Sequence, residues 1–141
     1  RFSKAVTPHM KKNKWGRIVS ITSSLAIEPS PLMVLSSTIR AGVSSFTKAI
    51  STELAADNIT VNVICPGGVL TERLKSLIED RTIRENRSYE EILNESQASI
   101  PANRFASSKE IAGTILFLTS EKGSYITGVS LAVDGGLLRS Y

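Results

Sequence analysis

The run ITVNVIC at residues 59–65 is short, apolar and β-branched, and it stops at Pro66-Gly67-Gly68, which neither continue a helix nor pair well in a sheet. It is predicted to be a buried strand. A similar run, GRIVSIT at 16–22, lies upstream between Gly16 and a serine pair. Between the two, Ile39, Val43, Phe46, Ile50 and Leu54 recur at spacings of four, three, four and four, so residues 36–56 are predicted to form one long helix with these side chains along one face. Asp57 and Asn58 end it, because asparagine tolerates the left-handed backbone that a helix end needs. Strand, helix and strand in that order make a right-handed crossover in a parallel sheet.

The rest of the chain fits the same plan. Residues 72–99 are charged and amphipathic, with Leu74, Leu77 and Ile78 on one face, and a capping-box pattern at Ser88 and Glu91 restarts a helix there. This is a helical excursion between strands. A second capping box, Ser107 with Glu110, opens a helix through Ile111, Ile115 and Leu118. The alternating Val129, Leu131 and Val133 form a last strand that ends at Asp134-Gly135-Gly136. No repeat, low-complexity tract or interdomain linker interrupts the 141 residues, so one α/β domain is expected. Arg1 is not methionine, and RFSKAVTPHMKK reads as the later part of a helix without an N-cap, as expected of a truncated chain.

Composition removes several classes of function. The net charge of +4 is spread along the chain apart from KKNK at 11–14, and no aromatic residues alternate with the basic ones, so no nucleic-acid groove is expected and the cluster reads as a solvated helix end. The single cysteine, Cys65, rules out a disulfide within the chain and a thiolate metal site, and the lone His9 has no partner ligands in sequence. No apolar run reaches the length of a membrane span and no signal peptide opens the chain, so the expected compartment is the reducing cytoplasm.

Ligands of an open parallel sheet bind beyond the carboxyl ends of its strands. That rule singles out residues 22–40, residues 65–75 and the excursion at 72–99, which is the natural lid.

Three stretches, GRIVSITSS, RAGVSSFTKAISTELAADNITVNVICPGGVLTER and ITGVSLAVDGG, together resemble the second half of a short-chain dehydrogenase/reductase over essentially the whole chain. Within that family the likeness is to the 3-oxoacyl-(acyl carrier protein) reductase-like members, some of which lack the usual catalytic pattern. The resemblance implies the C-terminal half of a Rossmann-type, doubly wound parallel sheet in three α/β/α layers. It also implies binding of NAD or NADP, hydride transfer to or from a carbonyl or alcohol substrate, and assembly as a homodimer or homotetramer.

Position by position, Ser23 matches the family serine that hydrogen-bonds the substrate oxygen. Unaided, it reads more simply as a serine capping a loop. Ser36 falls where the family has its catalytic tyrosine, and Arg40 where it has the lysine. The tyrosine acts as an acid or base because the lysine and the oxidised nicotinamide lower its phenol pKa from about 10. A serine hydroxyl starts far less acidic, so Ser36 is no like-for-like replacement. Arg40 can still donate to the nicotinamide ribose, but it stays protonated and cannot relay a proton. Pro66 and Gly67 match the family's turn after the strand, Val69 the residue whose backbone meets the carboxamide, and Thr71 a hydroxyl near the cofactor phosphates. Asp134-Gly135-Gly136 is expected to serve packing and subunit contact.

Tyr89, Tyr125 and Tyr141 are the phenols available to replace the missing acid, with Tyr89 in the lid the one to test. The family's glycine-rich phosphate loop has no counterpart among these residues, so by themselves they are expected to be inactive. Three readings follow: an oxidoreductase seen as its C-terminal half, a cofactor-binding or scaffold subunit that lost its acid, and an autonomous interaction module. The last is disfavoured, because half a parallel sheet exposes an apolar edge.

Overall fold

All eight residues of Ile59–Pro66 are buried, and this strand is the axis on which the rest of the chain is laid. The computed structural model describes residues 1–140. Its elements in chain order are α1 (Phe2–Asn13), β1 (Gly16–Ile21), α2 (Val34–Leu54), β2 (Ile59–Pro66), α3 (Glu72–Glu85), α4 (Tyr89–Ala98), α5 (Ser108–Thr119) and β3 (Ser130–Val133). The strands form one parallel sheet in the order β1-β2-β3, with Gly16 opposite Ile59 and Pro66 opposite Val133.

Alternate residues of β2 feed two cores. Ile59 and Val61 pack with Leu54, Met10, Ile18 and Ile50 under α1 and α2, whereas Ile64 packs with Ile111, Leu118 and Val19 under α5. Each of these β2 side chains is fully removed from water, which stabilises the fold by roughly 1.5–3 kcal/mol apiece. The expected three-layer α/β/α arrangement is therefore present.

Polar groups set where β3 begins. The Asn62 side chain, with no exposed surface, donates from Nδ2 to the Ile126 carbonyl at 2.8 Å and accepts the Val129 N–H on Oδ1 at 3.3 Å. Thr127 Oγ1 accepts the Val61 N–H at 3.0 Å. An apolar residue at position 62 would leave both backbone groups of the returning chain without these partners.

Local signals translate directly. Both capping boxes form, with Ser88 and Ser107 accepting the N–H of Glu91 and Glu110 while those carboxylates reach back to the serine N–H groups. Arg104 also pairs with Glu110, and that pairing together with the cap hydrogen bonds holds the Glu110 carboxyl down to about 2. After α2, one 3₁₀ turn leads to Asn58 in the left-handed region, φ 59°, as its position predicts. The lysines of KKNK close α1, where Lys11 pairs with Glu53 and Lys14 with Asp57.

Two expectations need correction. The stripe Ile39, Val43, Phe46, Ile50 and Leu54 meets the sheet only at its end, where Ile50 and Leu54 join the core, whereas Ile39 and Phe46 are 59% and 52% exposed. Ser37, Thr47 and Ser51 are buried along with Leu54, and the small polar side chains let the helix lie close to the strands. β3 likewise starts at Ser130 rather than Val129, and both Val129 and Leu131 remain over a third exposed because β3 lies at the sheet edge. No described helix is long and apolar enough to cross a membrane, and the described residues hold no cluster of metal-ligating side chains.

Candidate active site

Hydrogen bonds across the sheet bring three chain segments together at its carboxyl edge. The Thr22 N–H donates to the Ile64 carbonyl at 2.9 Å, and the Gly67 N–H donates to the Val133 carbonyl at 3.1 Å. The ends of β1, β2 and β3 thus deliver Ser23, Pro66-Gly67 and Asp134 side by side. Only glycine suits position 67, since a Cβ there would stand 2.9 Å from the Asp134 Cα. Asp134 is itself locked: its carboxylate accepts the N–H groups of Gly136 at 3.0 Å and Leu138 at 2.8 Å, and the turn is made possible by Gly135 and Gly136 at φ +66° and +84°. This agrees with a packing role for the Asp134-Gly135-Gly136 turn.

Ser23 is half-buried and extended, and its Oγ accepts the Leu25 N–H at 3.3 Å to cap a 3₁₀ turn at Ser24–Ala26. The simple capping reading is thus correct as far as the acceptor goes. The hydroxyl proton has no acceptor among the described residues and remains available to donate.

The loop then runs through Ser30, whose Oγ accepts the Leu32 N–H and whose own N–H donates to Ser37 Oγ, both at 3.3 Å. Ser37 therefore ties the loop to α2. Ser36, the next residue around the helix, is left to Arg40, whose Nη1 donates to the Ser36 Oγ and, at 3.3 Å, to the Ser36 carbonyl. The four-residue spacing stacks the two side chains on one helix face, so the guanidinium lies over the serine hydroxyl.

Beyond β2 the chain makes an isolated parallel bridge. Leu70 N–H donates to the Ala106 carbonyl at 2.8 Å, and Ala106 N–H donates to the Gly68 carbonyl at 3.0 Å. In a parallel bridge the intervening residue turns its own groups the other way. The N–H and C=O of Val69 accordingly have no partner among the described residues. Thr71 caps α3 by accepting the Leu74 N–H at 3.3 Å. Cys65 is buried beside Thr22, and burial pushes its thiol pKa up, so it is not a nucleophile.

The tyrosines divide. Tyr89 opens α4 and is half-buried. Tyr125 is fully exposed and shares a surface hollow with Asn58 and Thr60, at the amino end of the sheet, so it is excluded as the acid. Tyr141 lies outside the described residues. Glu28 is a residue the sequence reading passes over: its Oε1 accepts the N–H groups of Arg139 and Ser140 at 2.8 and 2.6 Å. A lone carboxylate in a loop carries no periodic signal that would have revealed it.

Comparison with known proteins places this arrangement. Residues 1–138 match the family model described as enoyl-(acyl carrier protein) reductase. The chain is 37% identical over 131 residues to the NADPH-dependent reductase BacG of Bacillus subtilis, covering 93% of this chain and 51% of that protein. It is 39% identical over 128 residues to the 3-oxoacyl-(acyl carrier protein) reductase FabG of Aquifex aeolicus, covering 91% and 47%. The crystal structure of YwfH, an NADPH-dependent reductase involved in bacilysin biosynthesis, superposes with a TM-score of 0.92 at 34% identity, over 99% of this chain and 53% of that one. The chain thus spans about half the length of the curated relatives it matches. Sheet order, turn chemistry and these matches agree, and the chain belongs to the short-chain dehydrogenase/reductase family.

Proposed function

We propose that the protein carrying this chain is an oxidoreductase that moves a hydride between NAD(P)(H) and a carbonyl or alcohol substrate, with 3-oxoacyl thioesters as the first class to try. Residues 1–141 would be the C-terminal part of one NAD(P)-binding domain, with residues 72–99 as its lid. The observation that carries this reading is the pair of unpartnered backbone groups on Val69, one donor and one acceptor at the carboxyl edge of β2. A carboxamide needs one of each.

The other residues present fit the same group. Gly67 keeps the strand end open, Pro66 ends the pairing, Arg40 supplies a permanent cation for a ribose hydroxyl, and Thr71 brings a hydroxyl to the first turn of α3. When bound, a nicotinamide nucleotide supplies the hydride. NADPH is the nucleotide to try first, given the relatives named above.

The chain's own chemistry is then to hold the substrate oxygen. Ser23 donates its free hydroxyl proton to that oxygen, and Ser36, oriented by Arg40, donates from the other side, so charge developing there meets two aligned donors. Neither serine is acidic enough to act as the family's phenol does. The proton comes through water or from a group of the lid. The exposed stripe on α2 supports assembly as a homodimer or homotetramer, and a free, buried Cys65 suits the cytoplasm.

The test is a titration of the intact protein with NADPH and NADH, followed by turnover of a ketone and alcohol panel. Tight nucleotide binding with turnover is expected, and Arg40→Ala should weaken nucleotide binding about tenfold or more by removing a charge-assisted donor. With water as the proton source, kcat should stay flat from about pH 7 to 9, and a titration in that range would point to a group of the lid. Nucleotide binding without turnover, rescued by Ser36→Tyr with Arg40→Lys, would establish the impaired-subunit reading instead.

A further inference from the structure

Glu28 is the one acidic residue between Thr22 and Arg40, and it sits in the loop that joins the two candidate catalytic serines. The first turn of that loop, Ser24–Ala26, packs on α2 and β2, but its far end is loosely held, with Leu32 93% exposed. From the opposite side comes the segment after β3. Asp134 bends it back by holding the N–H groups of Gly136 and Leu138, and the next two N–H groups, those of Arg139 and Ser140, converge on the single Glu28 Oε1. Two carboxylates thus capture four backbone donors in turn along this segment. The Ser140 hydroxyl and the two backbone N–H groups hold the Glu28 carboxyl below the usual range, as expected for an ionised acceptor committed to these bonds.

We infer that Glu28 is a positioning residue: its carboxylate straps the segment after β3 across the 24–33 loop and thereby fixes the wall between Ser23 and Ser36 against which a substrate lies. The last clause rests on the oxidoreductase reading, whereas the strap itself does not. A surface carboxylate accepting two consecutive backbone N–H groups more than a hundred residues away joins the first and last parts of the site. Without it, the 24–33 loop keeps its own local turns, the packing of the Ser24–Ala26 turn on α2 and β2, and the tie from Ser30 to Ser37.

The experiment compares wild type, Glu28→Ala and Glu28→Gln in the intact protein by hydrogen-exchange mass spectrometry and steady-state kinetics. Glu28→Ala should speed exchange about tenfold in peptides covering 136–140 and measurably in 24–33, while β2 stays protected. KM for the carbonyl substrate should rise about fivefold with kcat within about twofold and nucleotide affinity unchanged. Glu28→Gln keeps one acceptor oxygen and should restore most of both effects. Unchanged exchange in both segments, or released segments with an unmoved KM, would overturn the assignment. If the wild type turns over nothing, the oxidoreductase reading falls, and exchange at 24–33 decides the strap by itself.

Discussion

The two ends of the sheet are built from different materials. At the amino edge, Arg17 is buried with its Nη1 donating to the carbonyls of Gly16 and Asn58 at 2.8 and 3.0 Å, its guanidinium 5.2 Å from the Trp15 ring and 3.8 Å from Glu121. Trp15 Nε1 donates to the same Glu121, and Asn58 donates back to the Lys14 carbonyl. At the carboxyl edge, small hydroxyls, glycines and a proline take the place of these long side chains, and the donors of Ser23 and Val69 are left open. The amino edge turns most of its polar groups on itself, and those it leaves without a hydrogen-bond partner among the described residues, Arg17 Nε and Nη2 and Thr60 Oγ1, are buried. The other holds some in reserve, which is what a binding edge of an α/β sheet requires.

The sharpest way to break this contrast is to damage the amino edge and look for silence at the other. Arg17→Ala removes a buried cation together with two carbonyl contacts and should cost about 3 kcal/mol in urea unfolding. Nucleotide affinity should not change in the fraction that remains folded. A parallel loss of affinity would mean that the two edges are not independent.

A smaller effect is expected midway, at α5, which supports the sheet beneath the site. Ser107→Ala removes the cap and should cost about 1 kcal/mol. The same helix start carries a pH signature. Glu110 is held at about 2 in the folded state, against 4.5 ordinarily, so its contribution is complete above about pH 4.5 and disappears as pH falls toward 2. Acid unfolding of Glu110→Gln should show less of that slope.

The smallest effect belongs to the helix pair α3 and α4. α3 and α4 each bury one large apolar side chain, Ile78 and Ile92, and are otherwise joined by a network in which Arg81 and Arg87 both reach Glu85 and Glu95. Exposed pairs of this kind are each worth about 0.2–1 kcal/mol and are screened by salt. Raising salt to about 1 M should therefore speed exchange in α3 and α4 while the β2 core stays protected. Equal protection in both would show that Ile78 and Ile92 hold the helix pair unaided.

How much of this was legible in the sequence depended on range. The capping boxes at Ser88 and Ser107 and the stop at Asn58 are settled within three or four residues, so composition at those positions is enough. The strand ends followed from β-branched runs that stop at serine, glycine or proline, whereas the choice of Ser23, Gly67 and Val69 came from the family resemblance. The outward turn of Ile39 and Phe46 was not legible, because which flank of α2 meets the sheet is chosen by the close fit of Ser37, Thr47 and Ser51. Glu28 was hidden for the same reason, since its partners lie 111 and 112 residues away.

Asn62 has a further meaning for a chain made from its amino end. When β1, α2 and β2 have left the ribosome, the Asn62 amide stands in an apolar strand with its two partners, Ile126 and Val129, not yet synthesised. Leaving such an amide buried and unpaired costs roughly 1–3 kcal/mol, so the nascent half-sheet is biased against closing over it early. The last strand and the contact of Gly67 with Asp134 are thereby made late events. The carboxyl edge is completed only after α3, α4 and α5 have been made.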